Sequence, residues 1–518
     1  MIVRYSWIPI VITLVILSFV YTVTLGENPS GFFCDEALYG LRSYEIWQGD
    51  VTSLVNPFFY KHFGYLQGAL FIYAPLLFVK MLGLSEFSVR LTSVVFGLFT
   101  LMMVWETLRF VKIRHPLVPV LIFGATPIVI HISRIYFGMT PSMFFMAAGY
   151  YLYVRSSMNH RPSLGVAAGL IMGMSVYGYS AFQISALLLF IAILITELLQ
   201  HGLKIRRYKI FACLFLGLAL AYIPFCYTAV KEPDFFKRLH DKHAPFIQLN
   251  AERVQQMIQN YPKYYSPDYL FFKGETGMPG AFIDRHAVKG AGLLLQSSIG
   301  LIVLFFMNAF FFRDERLCYF LPFFFLIFLY PVPDLITTTD ENAPYTFSAS
   351  GSFILLPFAF AYGWELLVSV SDYFKKKYAA VGYMLLAGVA GICILEAGLF
   401  YSNQYQRYPL VSSDFWGWQA GPREIIAFFS DHRDEYDDLY MQGVFNEPHI
   451  FLDFYLVDSP LREQAFIGSP PAVPMIPRRL FAISDGELKE QAYAKSLRVL
   501  QTLYYPNGNA SFHLATLK

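Results

Sequence analysis

The sequence predicts a mostly α, polytopic membrane protein of about eleven transmembrane helices, with juxtamembrane helices in the first outer loop and a small C-terminal α/β extracytoplasmic domain. Three observations predict it. Of 518 residues, 56% are hydrophobic and 18% aromatic while only 15% are charged, a composition outside the range of soluble domains. Apolar runs of roughly 16 to 23 residues, each long enough to approach a bilayer's thickness, recur along the chain. The basic residues gather in short connectors between those runs, as the positive-inside rule requires of the cytoplasmic face.

The first run, Trp7 to Leu25, follows Arg4 and lacks a small-residue cleavage signature, which favours a retained anchor over a removed signal peptide. Ten further runs lie near 88–108, 117–133, 140–154, 164–182, 184–199, 210–229, 290–312, 317–332, 351–370 and 379–400. The stretch 65–83 is ambiguous because it contains Pro75 and Lys80. If it does not cross, the connectors "RFVKIRH", "RSSMNHR", "HGLKIRRYK", "RDER" and "KKKY" all share the inner face with Arg4; if it crosses, all five flip outward. The stretch therefore reads as a re-entrant or interfacial helix along the outer leaflet.

Three long polar segments then share the outer side, about 26–87, 230–289 and the tail from 401, and the chemistry is expected there. The chain divides into a transmembrane catalytic domain, 1–400, and an extracytoplasmic domain, 401–518. In the tail, apolar runs such as "DDLYMQGVF" and "HIFLDFYLV" alternate with turn signals such as "SPPAVP" and "PNGN", the pattern of a small folded unit. A net charge of +2, from 39 basic and 37 acidic residues, leaves no polybasic field for nucleic acid. The five cysteines show no zinc or disulfide spacing.

After the first span, "GFFCDEALYGLRSYEIWQGD" reads as a turn followed by a helix, with Asp35 and Glu36 in the first turn, where carboxylates complement the helix dipole. "NPFFYKHFGYLQG" follows, carrying Lys61 and His62, and "GLSEFSVRLTS" closes the loop. These pieces resemble the GT-C polytopic glycosyltransferases, specifically the bacterial branch of the protein O-mannosyltransferase-like and aminoarabinose-transferase-like group. That group places an Asp-Glu pair after the first span, then juxtamembrane helices, then a G-x-S/N-E-x-x-x-R-L segment. "SRIYFGMTPSMFFMAAGYYLYVR", "YYSPDYLFFKGETGMPG" and "WGWQAGPREII" extend the resemblance over most of the chain. One segment departs: where relatives carry Pro-His-x-x-Arg in an outer loop, this chain has "TTTDENAPYTFSASG".

The resemblance implies an inverting transfer of a sugar from a polyprenyl-phosphate donor to an acceptor hydroxyl on a protein, lipid or glycan, at the outer face of the plasma (inner) membrane. A hydroxyl is a weak nucleophile near neutral pH, so a carboxylate that accepts its proton lowers the barrier. Asp35 is the candidate base. Glu36 either orients the acceptor, assists Asp35 or faces water. The departing phosphate needs cations rather than an acid, and Lys61, Arg134, Arg285 and His286 are the candidates for donor binding. Should a divalent cation bind, magnesium or manganese suits the hard oxygens of the Asp-Glu pair, and nothing else in that loop forms a metal cluster. His62 reads as a capping or packing residue, and Asp340 and Glu341 as either cavity lining or a solvated turn. "YYSPDYLFF" and "WGWQ" are places where a sugar would stack. The competing class is a transporter or flippase of a lipid-linked sugar, which would place ionisable groups at mid-bilayer; Glu197 and Glu365 are the main such residues here.

Overall fold

The computed structural model describes residues 7–201, 205–236, 250–312, 314–337, 344–376, 378–468 and 478–518. Asp340 and Glu341 lie outside the described residues. Helix α1 (Ile8–Thr22) leads through a tight loop to α2 (Cys34–Gln48), the helix expected after the first span. Three short strands follow, β1 (Leu54–Asn56), β2 (Phe59–His62) and β3 (Tyr65–Gly68), in an antiparallel sheet of order β1-β2-β3. His62 pairs with Tyr65, which leaves a two-residue turn of Phe63 and Gly64, both at positive φ (42° and 88°), the twist that closes a tight hairpin. Along β2, Phe59, Tyr60 and His62 are buried and Lys61 is exposed.

The ambiguous stretch 65–83 is therefore a strand and then a helix, α3 (Leu70–Leu82). Its 13 residues, at 1.5 Å each, reach about 20 Å, short of the roughly 30 Å of a hydrocarbon core. Next comes α4 (Glu86–Phe110), 25 residues long, whose N-cap Ser85 accepts a hydrogen bond from the Ser88 amide. Helices α5 (Leu117–Gly124) and α6 (Pro127–Arg134) are bent 64° from one another. They precede α7 (Met139–Asn159), α8 (Pro162–Met174), α9 (Ala181–His201) and α10 (Ile205–Lys231). Helices α8 and α10 meet backbone to backbone: a Cβ at Gly169 would stand 2.1 Å from the Leu214 carbonyl, and one at Gly217 2.1 Å from the Val166 carbonyl. Small residues permit such contact between apolar helices.

Among the described residues, four helices are long and apolar enough to cross a membrane, or six if each bent pair is one span. The others expected from hydropathy include shorter apolar helices such as Gln296–Phe312 and Leu321–Ile336. The run at 290–312 loses its first turns because residues 290–295 are not helical. Three of the basic connectors meet at one end of the bundle. Arg114 bonds Glu365 at 2.6 Å and Asp372 at 2.5 Å, Lys375 of "KKKY" also reaches Asp372 at 3.2 Å, and Arg316 reaches Glu365 at 3.1 Å and the Lys112 carbonyl at 3.2 Å. That convergence is what a shared face requires of them.

The tail forms a five-stranded mixed sheet of order β5-β4-β6-β8-β7, from β4 (Asp438–Gln442), β5 (Ala465–Gly468), β6 (Arg479–Ser484), β7 (Leu497–Tyr504) and β8 (Ala510–Leu517). "DDLYMQGVF" supplies β4, whereas "HIFLDFYLV" is a helix, His449–Tyr455. "PNGN" is the β7–β8 turn, and "SPPAVP" lies outside the described residues. The core runs without a break from the helices into the tail.

Candidate active site

The loop between α1 and α2 is folded by Arg90, from "SEFSVRL" in α4. Its side chain is fully buried, and a guanidinium inside an apolar helix needs a carboxylate and carbonyls to offset its desolvation. Glu36 supplies the first: Nε donates to Oε1 at 3.1 Å and Nη2 to Oε2 at 3.0 Å, the planar fork that arginine makes with a carboxylate. Carbonyls of Leu25, Pro29 and Gly31 accept the remaining bonds at 3.3, 3.0 and 2.7 Å. Glu36 also accepts from the Tyr136 amide at 2.9 Å and reaches back to the Phe33 amide at 3.4 Å, closing the N-terminus of α2. This corrects one expectation: Glu36 neither faces water nor can touch an acceptor, because both oxygens are enclosed.

Asp35, one residue earlier, points the other way. Its side chain is about a quarter exposed, with Oδ1 3.5 Å from His62 Nε2 and 3.6 Å from Cys34 Sγ. Burial, reinforced by Asp35 and Glu447 and opposed by Arg285, pushes the Cys34 thiol well above its usual range. The same desolvation, aided by Asp35, keeps Tyr39 and Tyr60 as neutral phenols. Arg285 spreads its guanidinium over the Phe33 ring at 4.0 Å and donates to the Trp416 carbonyl at 3.0 Å. Parts of the three long polar segments, at Phe33, Arg285 and Trp416, thus meet beside the N-terminus of α2.

The other predicted cations fare differently. Lys61 stands on the solvent face of β2, opposite Tyr60 and His62. Arg134 is fully buried and donates to the Val20, Val23 and Asn28 carbonyls at 2.8, 2.7 and 3.0 Å, so it closes the C-terminus of α1 rather than meeting a phosphate or the headgroups. His286 is also buried. It pairs with Glu275 at 2.7 Å and packs on Tyr345 and Phe347 at 4.0 and 4.5 Å, and burial lowers its proton affinity. Glu275 and Asp334 accept the amides of Thr346 and Tyr345, each at 2.6 Å, and so hold these two described residues of the departing segment. Of the proposed stacking residues, Trp418 is buried under Arg90 while Trp416 is nearly half exposed.

Glu36 has no oxygen left for a cation, and no group of three or more His, Cys, Asp or Glu suited to a metal exists among the described residues; these residues do not fit a magnesium or manganese site at the Asp-Glu pair. A cavity of about 660 Å³ opens between the start of α4 and the tail, lined by Glu86, Arg423 and Tyr455 among others, and one of about 170 Å³ lies beside Glu396. Asp35 lines neither. Sequence reasoning missed Arg90 as the anchor, although an arginine set among the apolar residues of a helix is itself a demand for a buried acid.

No protein-family model matches the chain, and no curated protein matches it in sequence. Its structure superposes on that of ArnT from Cupriavidus metallidurans in the apo state with a TM-score of 0.55 at 12% identity, over 98% of this chain and 97% of that one. The same protein bound to undecaprenyl phosphate gives 0.56 at 12% identity, over 98% of both chains. The chain has the ArnT fold. The resemblance read from "DE", "SEFSVRL" and the other segments is thus matched by architecture along nearly the whole length, and the ArnT fold extends through the tail as well as the helices.

Proposed function

We propose that the protein is an inverting glycosyltransferase that moves a sugar from a polyprenyl phosphate to an acceptor hydroxyl at the outer face of the membrane. The observation that carries the reading is the division of labour in the Asp-Glu pair. Glu36 is locked onto Arg90 and fixes the first turn of α2, and the same turn holds the Asp35 carboxylate in a partly open position. The ArnT fold, with one neighbour that binds undecaprenyl phosphate, supports the donor class.

In the proposed step the acceptor oxygen attacks the anomeric carbon from the face opposite the phosphate. Asp35 takes the hydroxyl proton as the new C–O bond forms, and the bond between the anomeric carbon and the phosphate oxygen breaks with its electron pair leaving on the phosphate. Arg285 is the candidate for holding that charge, because it is half-buried on the Phe33 ring beside α2 and because a guanidinium fork suits phosphate oxygens. Lys61 serves as an electrostatic guide at the exposed edge of the hairpin. The transporter reading draws no support from its two carboxylates: Glu197 accepts from Tyr153 at 2.6 Å, and Glu365 is tied to Arg114 and Arg316.

The full chain in detergent, given undecaprenyl-phosphate-linked hexoses, pentoses and amino sugars with a membrane extract as the source of acceptor, is expected to release undecaprenyl phosphate from at least one donor and to give a product of inverted anomeric configuration. Retention of configuration, or no release from any donor, would remove this reading.

A further inference from the structure

Three consecutive residues of the second outer segment, Asp284, Arg285 and His286, are each tied down from a different direction. The Arg285 carbonyl lies 2.8 Å from His131 Nε2. A carbonyl oxygen only accepts, so Nε2 carries the proton and donates it. The Asp284 carbonyl accepts the Tyr408 hydroxyl at 2.6 Å, and the Tyr408 oxygen in turn accepts from Trp418 Nε1, a donor only, at 2.9 Å. The His286 imidazole meets Glu275 at 2.7 Å. His131, Tyr408 and Trp418 are all buried, with the Tyr408 ring edge-on to His131 at 5.4 Å and the Trp418 ring at 6.3 Å. In such a cluster a satisfied polar network is rigid and the loss of one member is costly.

This clamp holds a guanidinium with capacity to spare. Arg285 gives one N–H to the Trp416 carbonyl at 3.0 Å and rests on the Phe33 ring at 4.0 Å, two residues before Asp35; among the described residues no carboxylate pairs with it. Arg90 and Arg134, by contrast, are committed to Glu36 and to backbone carbonyls. A long side chain aims its fork only as well as its supports are fixed.

Resting on the proposed transfer reaction, we infer that His131 is a positioning residue for Arg285: with Tyr408 and Trp418 it fixes the backbone at 284–285, so that the remaining guanidinium N–H groups stand ready for the departing phosphate. Helix α6 gives the contact a wider reach. One turn after His131, Arg134 donates to the Val20, Val23 and Asn28 carbonyls and so fixes the loop that leads into α2. Two residues further on, the Tyr136 amide holds Glu36 at 2.9 Å. The last turn of α6 and the residues after it therefore set both the first turn of α2, where Asp35 stands, and the backbone of the phosphate cation, and keep the two in register.

The test separates an effect routed through Arg285 from a general loss of packing. Binding of undecaprenyl phosphate to the full chain in detergent is measured for the parent, Arg285→Ala, His131→Phe and the double variant, with unfolding temperatures in parallel. Arg285→Ala is expected to weaken binding about 10- to 100-fold, as the loss of charge-assisted bonds does. His131→Phe should weaken it about tenfold in the parent but less than about twofold in the Arg285→Ala protein, the coupling of a residue that acts through another. His131→Gln keeps an N–H donor at the place of Nε2 and should recover most of the lost affinity. Tyr408→Phe removes only a hydroxyl and carries the same test if His131→Phe does not fold: its loss, too, should vanish without Arg285. A loss that persists undiminished in the Arg285→Ala background, or equal binding by His131→Phe and the parent, would overturn the inference and leave the transfer reading intact. Undiminished binding by Arg285→Ala would remove the phosphate role of Arg285 and the inference with it, and no binding by the parent would remove the reading beneath both.

Discussion

Arg90 determines where Asp35 can stand. Its guanidinium gathers three carbonyls of the α1–α2 loop and both oxygens of Glu36, so the first turn of α2 cannot rotate without stripping a buried charge of its partners. Breaking such a pair from one side leaves an uncompensated ion, a change of about 3–5 kcal/mol. Glu36→Ala is therefore expected to lower the unfolding temperature of the purified protein sharply, whereas Asp35→Asn, partly exposed, should leave it unchanged; equal stability of Glu36→Ala and the parent would contradict the anchoring role. The pair itself was legible in the sequence, and so was its placement at a helix N-terminus. The roles of the two acids were not, because adjacent residues on a helix point about 100° apart and only the position of Arg90 decides which one is enclosed. Arg134 and His286 were misread for a related reason. A cation near the end of a span looks the same in sequence whether it faces a cavity or the carbonyls of a neighbouring helix.

The hairpin β2–β3 and the loop before α2 carry the precision of the site. Strands of four residues in an aromatic-rich stretch leave too short a period to be read, so the alternation that turns Tyr60 and His62 inward and Lys61 outward emerged only from the fold. Gly31 is the other critical element. At φ 92° it lies so close to the tail that a Cβ would meet the Trp418 carbonyl at 2.4 Å and the Ala420 amide nitrogen at 2.7 Å, too near for any side chain. Gly31→Ala is expected to loosen the segment 411–421 from the loop, seen as faster proteolysis of the tail; unchanged proteolysis would contradict that packing. The Glu275–His286–Tyr345 contact adds a pH dependence. Burial lowers the His286 proton affinity in the folded state, so between that lowered value and about 6.5 the unfolded chain binds more protons than the folded one, and stability rises with pH through this window. Unfolding temperatures measured from acid toward neutral pH should rise accordingly, and His286→Gln should flatten the rise; a slope identical to that of the parent would contradict it.

At the scale of the molecule, the reading of basic connectors gathered three of them at one end of the bundle and parts of the three polar segments beside the N-terminus of α2 at another site. Hydropathy was a weaker guide to span number, since it counts apolar residues and does not see a 64° bend or a run that is only partly helical. The tail's α/β character was legible from its turns, but its continuity with the helical core was not, because that rests on contacts such as Asn28 to the Tyr405 carbonyl at 2.8 Å and Tyr408 to the Asp284 carbonyl at 2.6 Å. The orientation predicts that an impermeant maleimide applied from outside labels single cysteines placed at Asp50 and Asn507 and spares one at Lys376; the reverse pattern would invert the topology. The central claim is that Asp35 removes the acceptor's proton, and the most direct measurement is the rate at which the Asp35→Asn protein releases undecaprenyl phosphate from a donor the parent accepts, with donor binding measured in parallel. The account predicts a loss of about 10²–10⁴-fold in rate with binding retained; turnover at the parent's rate would contradict it.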